Sequence, residues 1–97
     1  MTNNDTLRRL RFAFNFDDKT MMRLFALGGQ EVTRAEVSNW LKKEDDEYHV
    51  GIYDKQLAIF LNGLIIDRRG AREGGPPKPE KTLNNNLILR KLKIALN

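Results

Sequence analysis

Apolar residues recur at helical spacing in five stretches of this chain, separated by glycine, proline and acidic punctuation. Leu7, Leu10, Ala13 and Phe14 share one face of a first predicted helix, with Asn3 or Asn4 expected as its cap. Phe16-Asp17-Asp18 turns the chain, and Asp17 or Asp18 is expected to cap a second helix carrying Met21, Met22, Leu24, Phe25 and Leu27. Gly28-Gly29 ends it, since glycine enters the left-handed C-cap conformation without a Cβ clash. Thr33 and Glu36 have capping-box spacing, and Val37, Trp40 and Leu41 continue a third helix at i, i+3 and i+4. A fourth helix, with Asp54 expected as cap, bears Leu57, Ala58, Phe60, Leu61, Leu64 and Ile65. So broad an apolar face predicts burial on two sides, against its own unit and against whatever follows. Pro76, Pro77 and Pro79 beside Gly74 and Gly75 make a linker, and a fifth helix follows with Asn85 or Asn86 as cap.

That fifth helix repeats the first. Asn3-Asn4-Asp5-Thr6-Leu7-Arg8-Arg9-Leu10-Arg11-Phe12-Ala13-Phe14-Asn15 returns, 82 residues on, as Asn85-Asn86-Leu87-Ile88-Leu89-Arg90-Lys91-Leu92-Lys93-Ile94-Ala95-Leu96-Asn97. Seven of these thirteen positions are identical and four more exchange like for like, without a gap, which reads as an internal duplication. The predicted fold is all-α: a four-helix repeat unit over 1–69 containing a helix-turn-helix-like pair, a Gly/Pro-rich linker over 70–82, and the start of a second repeat over 83–97. A repeat that begins without its neighbours leaves apolar residues to cover. Leu89, Leu92, Ile94 and Leu96 are expected to fold back on the fourth helix or to pair with another molecule. A chain stopping inside its own repeat is expected to be part of something longer. The expected core is Phe14, Phe25, Trp40, Leu41, Phe60, Leu61 and Leu64.

Charge changes this picture little. The net charge is +4, but residues 1–69 and 70–80 are each neutral, and the excess sits in Lys81, Arg90, Lys91 and Lys93. A basic binding face over the first unit is therefore not indicated. The chain has no cysteine, so disulfides and thiolate chemistry are excluded. It opens Met-Thr-Asn-Asn-Asp without an apolar leader, and no apolar run approaches a membrane span, so a cytoplasmic protein is expected.

Candidate chemistry is sparse. No nucleophile–base pair, phosphate loop or metal-ligand cluster has recognisable spacing, so no catalytic residue, cofactor or metal is expected and the protein is read as non-enzymatic. Glu44-Asp45-Asp46-Glu47 lacks the alternation of a calcium loop and reads as a solvated loop, with the single histidine, His49, just beyond it. The helices on either side of Gly28-Gly29 resemble a helix-turn-helix, with Val32, Val37 and Trp40 as packing positions. In that arrangement Arg34, Ser38, Asn39, Lys42 and Lys43 are the candidate nucleic-acid contacts. Against it stand the long turn, Glu36 on the would-be reading helix, the adjacent acidic run and the neutral unit.

The Asn3-Asn4-x-x-Leu7-Arg8-Arg9-Leu10-Arg11 opening, Gly28-Gly29, the run from Val37-Ser38-Asn39-Trp40 to Glu44-Asp45, Phe60-Leu61-Asn62-Gly63-Leu64-Ile65-Ile66 with Arg68-Arg69-Gly70, and the return at Leu83-Asn84-Asn85-Asn86 together resemble the YehS-like family. These are small bacterial proteins of two tandem repeats without an established function. The resemblance implies a second repeat of similar size after Asn97 and carries over no site residues. The expected function is a binding module that associates with itself or with another protein, using Leu89, Leu92, Ile94 and Leu96. The alternative is nucleic-acid binding through the third helix.

Overall fold

The computed structural model describes residues 1–70 and 78–96; the expected linker residues 71–77, and Asn97, lie outside the described residues. All regular structure among them is helical, in the order α1 (Asn3–Phe14), α2 (Asp18–Leu27), α3 (Arg34–Leu41), α4 (Asp54–Arg69) and α5 (Asn85–Leu96). None of these helices is long and apolar enough to cross a membrane.

The helix starts show where local sequence logic holds and where it fails. Asp17 caps α2 by accepting from the Thr20 amide, and Thr33 with Glu36 forms the expected reciprocal box on α3. At α1 the cap is Thr2, boxed with Asp5, and not Asn3 or Asn4. At α5 it is Asn84, whose Oδ1 accepts from the Leu87 amide at 2.8 Å, and not Asn85 or Asn86. Thr2 and Asn84 are themselves 82 residues apart, so the cap recurs with the helix. At α4 the cap position is Tyr53, whose amide is taken by Gln56 Oε1 at 2.9 Å; Asp54 is thereby left for longer-range work.

α4 is the hub. Leu57 through Leu64 are all buried, because α2 packs on one side of the helix and α5 on another. The two-sided burial expected from its apolar breadth is what the structure shows. α3 closes against α2 and α1, placing Phe25 between Trp40 and Phe60 at ring-centroid distances of 5.2 and 5.1 Å. Of the expected core, Phe25, Trp40, Phe60, Leu61 and Leu64 are buried, while Phe14 and Leu41 are only partly covered at its edge.

α2 and α4 approach too closely for side chains to intervene. A Cβ on Gly63 would lie 1.7 Å from the Leu24 carbonyl oxygen, and one on Gly28 would lie 1.9 Å from that of Ile59. Glycine in mid-helix costs roughly 1 kcal/mol in propensity; here it allows the two backbones to touch. Gly29, at φ 110°, supplies the left-handed turn. The two neighbouring glycines thus serve different ends. Gly63→Ala is expected to destabilise by about 1–3 kcal/mol or more in urea denaturation. Gly51→Ala, with nothing within 4 Å of its Cβ, should change stability by less than about 0.5 kcal/mol.

Candidate functional site

The residues expected to read a nucleic-acid groove are largely engaged inside the molecule. α3 ends at Leu41, and beyond it Lys42 turns back so that its Nζ donates to Ser38 Oγ at 3.0 Å and to Asn39 Oδ1 at 3.3 Å. The Lys42 carbonyl accepts from Arg8 at 2.8 Å and from His49 Nδ1 at 2.8 Å. The Asn39 carbonyl accepts the Val50 amide at 3.2 Å. Arg34 is 77% exposed yet pairs with Asp18, its Nε 3.1 Å from Oδ2. Lys43 is exposed beside Glu44 and Asp45. Glu36 is exposed, and its carboxylate accepts the Thr33 amide at 2.9 Å. Among the described residues no group of acidic or histidine side chains is arranged to hold a metal ion.

The second candidate surface is α5. It folds back on α4, one of the two outcomes expected, but by an unexpected face. Lys91 and Ala95 turn inward, 8% and 4% exposed. The Lys91 Nζ reaches Asn62 Oδ1 at 2.5 Å, deep on α4, and Glu80 Oε1 at 3.0 Å. Leu89, Ile94 and Leu96 point outward at 56%, 45% and 56% exposure, and Leu92 is half-buried against the core. Between α5 and α1 runs an open groove of about 350 Å³. Met1, Thr6, Arg9 and Leu10 form one wall, and Asn85, Ile88, Leu89 and Leu92 the other. A separate depression of about 530 Å³ lies between the α2–α3 turn and the start of α4, rimmed by Lys55, Lys78 and Lys81; nothing in the sequence pattern singles it out.

What holds these surfaces in place is a pair of asparagines. Asn4 is buried, and its Nδ2 donates to the carbonyls of Trp40 at 2.8 Å and Val50 at 2.9 Å, while its Oδ1 accepts the Ile52 amide at 3.2 Å. Asn3 donates to the Ile52 carbonyl at 3.2 Å and to Asp54 at 2.6 Å. Asp54 also accepts the Leu83 amide at 2.8 Å, tying the approach to α5 onto α1 and α4. These donors, the Asn3 amide first and the Leu83 amide second, hold the Asp54 carboxyl below its ordinary value of 3.8. From the sequence alone either Asn3 or Asn4 is expected as the α1 cap, and neither serves as one. The available signal was their recurrence at 85 and 86, which capping alone does not require.

The comparisons with known proteins follow the same outline. The profile of a family described as "Protein of unknown function (DUF1456)" matches residues 3–70, the span from α1 to the end of α4. The chain belongs to this family. It is also 41% identical over 98 residues to "Uncharacterized protein YehS" of Escherichia coli (strain K12). That alignment takes in the whole of this chain but 63% of the relative. No solved structure matches.

Two outcomes follow from the asparagine pair. Asn4→Ala leaves two carbonyls and an amide without their partner and should destabilise by about 1–3 kcal/mol in urea unfolding. A carboxylate with a lowered folded pKa stabilises above its unfolded value and loses that contribution as pH falls through the folded one. The native protein should therefore lose stability on acidification below about pH 4, and Asp54→Asn should flatten that part of the Tm-against-pH curve.

Proposed function

We propose that this chain is a non-catalytic protein-interaction module whose working surface is the outward face of α5 together with the α1–α5 groove. The observation that carries this reading is Leu89, Ile94 and Leu96 standing 45–56% exposed on one helix whose other face is already seated on α4. Large aliphatic side chains gathered on a helix beside an open apolar groove mark association surfaces. The reading also fits the organisation expected from the sequence: a four-helix unit over 1–69, a connection over 70–82, and a copy of its first helix from 83 onward. Nucleic-acid binding through α3 is the second reading. It is favoured by the exposure of Arg34 and Lys43 and disfavoured by the internal hydrogen bonds of Lys42 with Ser38 and Asn39.

Light scattering of the chain at increasing concentration is the test. The unaltered chain is expected to gain mass above that of a monomer. Leu89→Asp should remain monomeric with an unchanged circular dichroism spectrum and Tm, and Arg34→Ala should behave as the unaltered chain. A Leu89→Asp variant that associates like the parent overturns the reading. Salt-sensitive NMR shifts confined to 34–43 on adding duplex DNA would put the α3 reading in its place.

A further inference from the structure

We infer that α5 is a shared helix, whose inward face belongs to the first helical unit and whose outward face is the seat for a second copy of the segment α2–α4. This rests on the reading of α5 as an association surface and names its occupant.

Comparing equivalent positions of the two helix copies carries the argument. On α1, Asn4 and Leu7 are buried, at 4% and 0% exposure, and they bind the unit together from inside. Their counterparts Asn86 and Leu89 are exposed. On α1, Arg9 and Ala13 face outward; their counterparts Lys91 and Ala95 are buried against α4. The same amphipathic pattern is therefore rotated about the helix axis: Leu10 and its counterpart Leu92 turn toward the core in both copies. α5 docks partly by the side that α1 leaves outside at Arg9 and Ala13, and it leaves outside the Asn4 and Leu7 side with which α1 builds a core. Asn86 and Leu89 have the side chains to receive helices like α2–α4, and Asn84 already caps the helix as Thr2 caps α1. Length agrees: the aligned 98 residues are 63% of the Escherichia coli relative, which leaves further chain of about the extent of 16–70.

The groove adds the placement. Its walls include Thr6 with its counterpart Ile88, and Leu10 with its counterpart Leu92. Two copies of one helix meeting at equivalent positions is the arrangement a local two-fold axis produces. Under that axis, α5 resting on α4 has a mate: the second copy's α4 rests on the Arg9 and Ala13 face of α1. Phe12 beside that face, at 90% exposure, is then covered as well.

The absence of cysteine gives a clean test. Residues 16–70 are appended directly after Asn97, the counterpart of Asn15, and single-cysteine variants of the 97-residue and extended chains are compared for reaction with a thiol reagent. Leu89→Cys and Phe12→Cys should each react about tenfold or more slowly in the extended chain, while Tyr48→Cys reacts alike in both. Asn86→Ala should lower the urea midpoint of the extended chain and leave that of the 97-residue chain unchanged. Leu89→Cys equally reactive in both chains overturns the shared helix, as does an extension that adds no helical circular dichroism. Protection at Leu89 without protection at Phe12 overturns the two-fold placement. A Leu89→Asp chain that associates like its parent in light scattering overturns the association reading above, whereas the thiol comparison reads what covers α5, so the two failures are told apart.

Discussion

A single side-chain amide holds the irregular segment between α3 and α4 in place. Between α3 and α4 the chain runs from Lys42 to Tyr53 without regular structure, so its buried peptide groups need partners from elsewhere. Asn4 supplies three hydrogen bonds at once, to the ends of two carbonyls and one amide drawn from Trp40, Val50 and Ile52. An asparagine suits the task because its side chain donates and accepts in the manner of a peptide group. Ile52 can then turn into the core from a segment with little order of its own, beside Trp40 at the end of α3. Asn3 and Asp54 extend the same network to the start of α4 and to Leu83, and Arg8 and His49 close on the Lys42 carbonyl. The candidate surfaces on α3 and α5 are thus positioned by one polar seam rooted in the first turn of α1.

The polar contact under α5 has a different character. Lys91 brings an ammonium group to Asn62 and Glu80 where the helix meets α4. A charge taken from water is retained only where hydrogen bonds and an opposite charge compensate it, and such contacts fix register more than they add stability. α5 is accordingly held in one orientation, and that orientation decides which of its side chains face outward.

Local pattern and long-range structure part company at identifiable residues. The five helices, the caps at Asp17 and Thr33 and most of the core were legible, because each follows from spacing within a few residues. The roles of Asn3, Asn4 and Asp54 were not: beside a helix start an Asn or Asp reads as a cap, whereas here the partners lie up to 51 residues away. Ser38, Asn39 and Lys42 read as an open polar face because spacing alone does not show that the Lys42 ammonium group is spent on the other two. For α5 the pattern marked Leu89, Leu92, Ile94 and Leu96, while the seated face carries a lysine and an alanine. Periodicity identifies an amphipathic helix without saying which of two neighbours each face serves. The recurrence of the 3–15 stretch at 85–97 was the one sequence signal with long-range content, and it bore on the surface that the local pattern left undecided.

The closeness of α2 and α4 also governs how the molecule can come apart. With Gly63 against the Leu24 carbonyl and Gly28 against that of Ile59, no side-chain layer separates the two backbones. Rotamer changes cannot loosen such a contact, and sliding one helix along the other would drive Cβ-bearing residues into those carbonyls. Breathing motions that free α5, or the segment after α3, leave this pair untouched. The amides of α2 and α4 at the crossing then share one opening event, the global one. They are the expected slow centre of hydrogen exchange in this molecule.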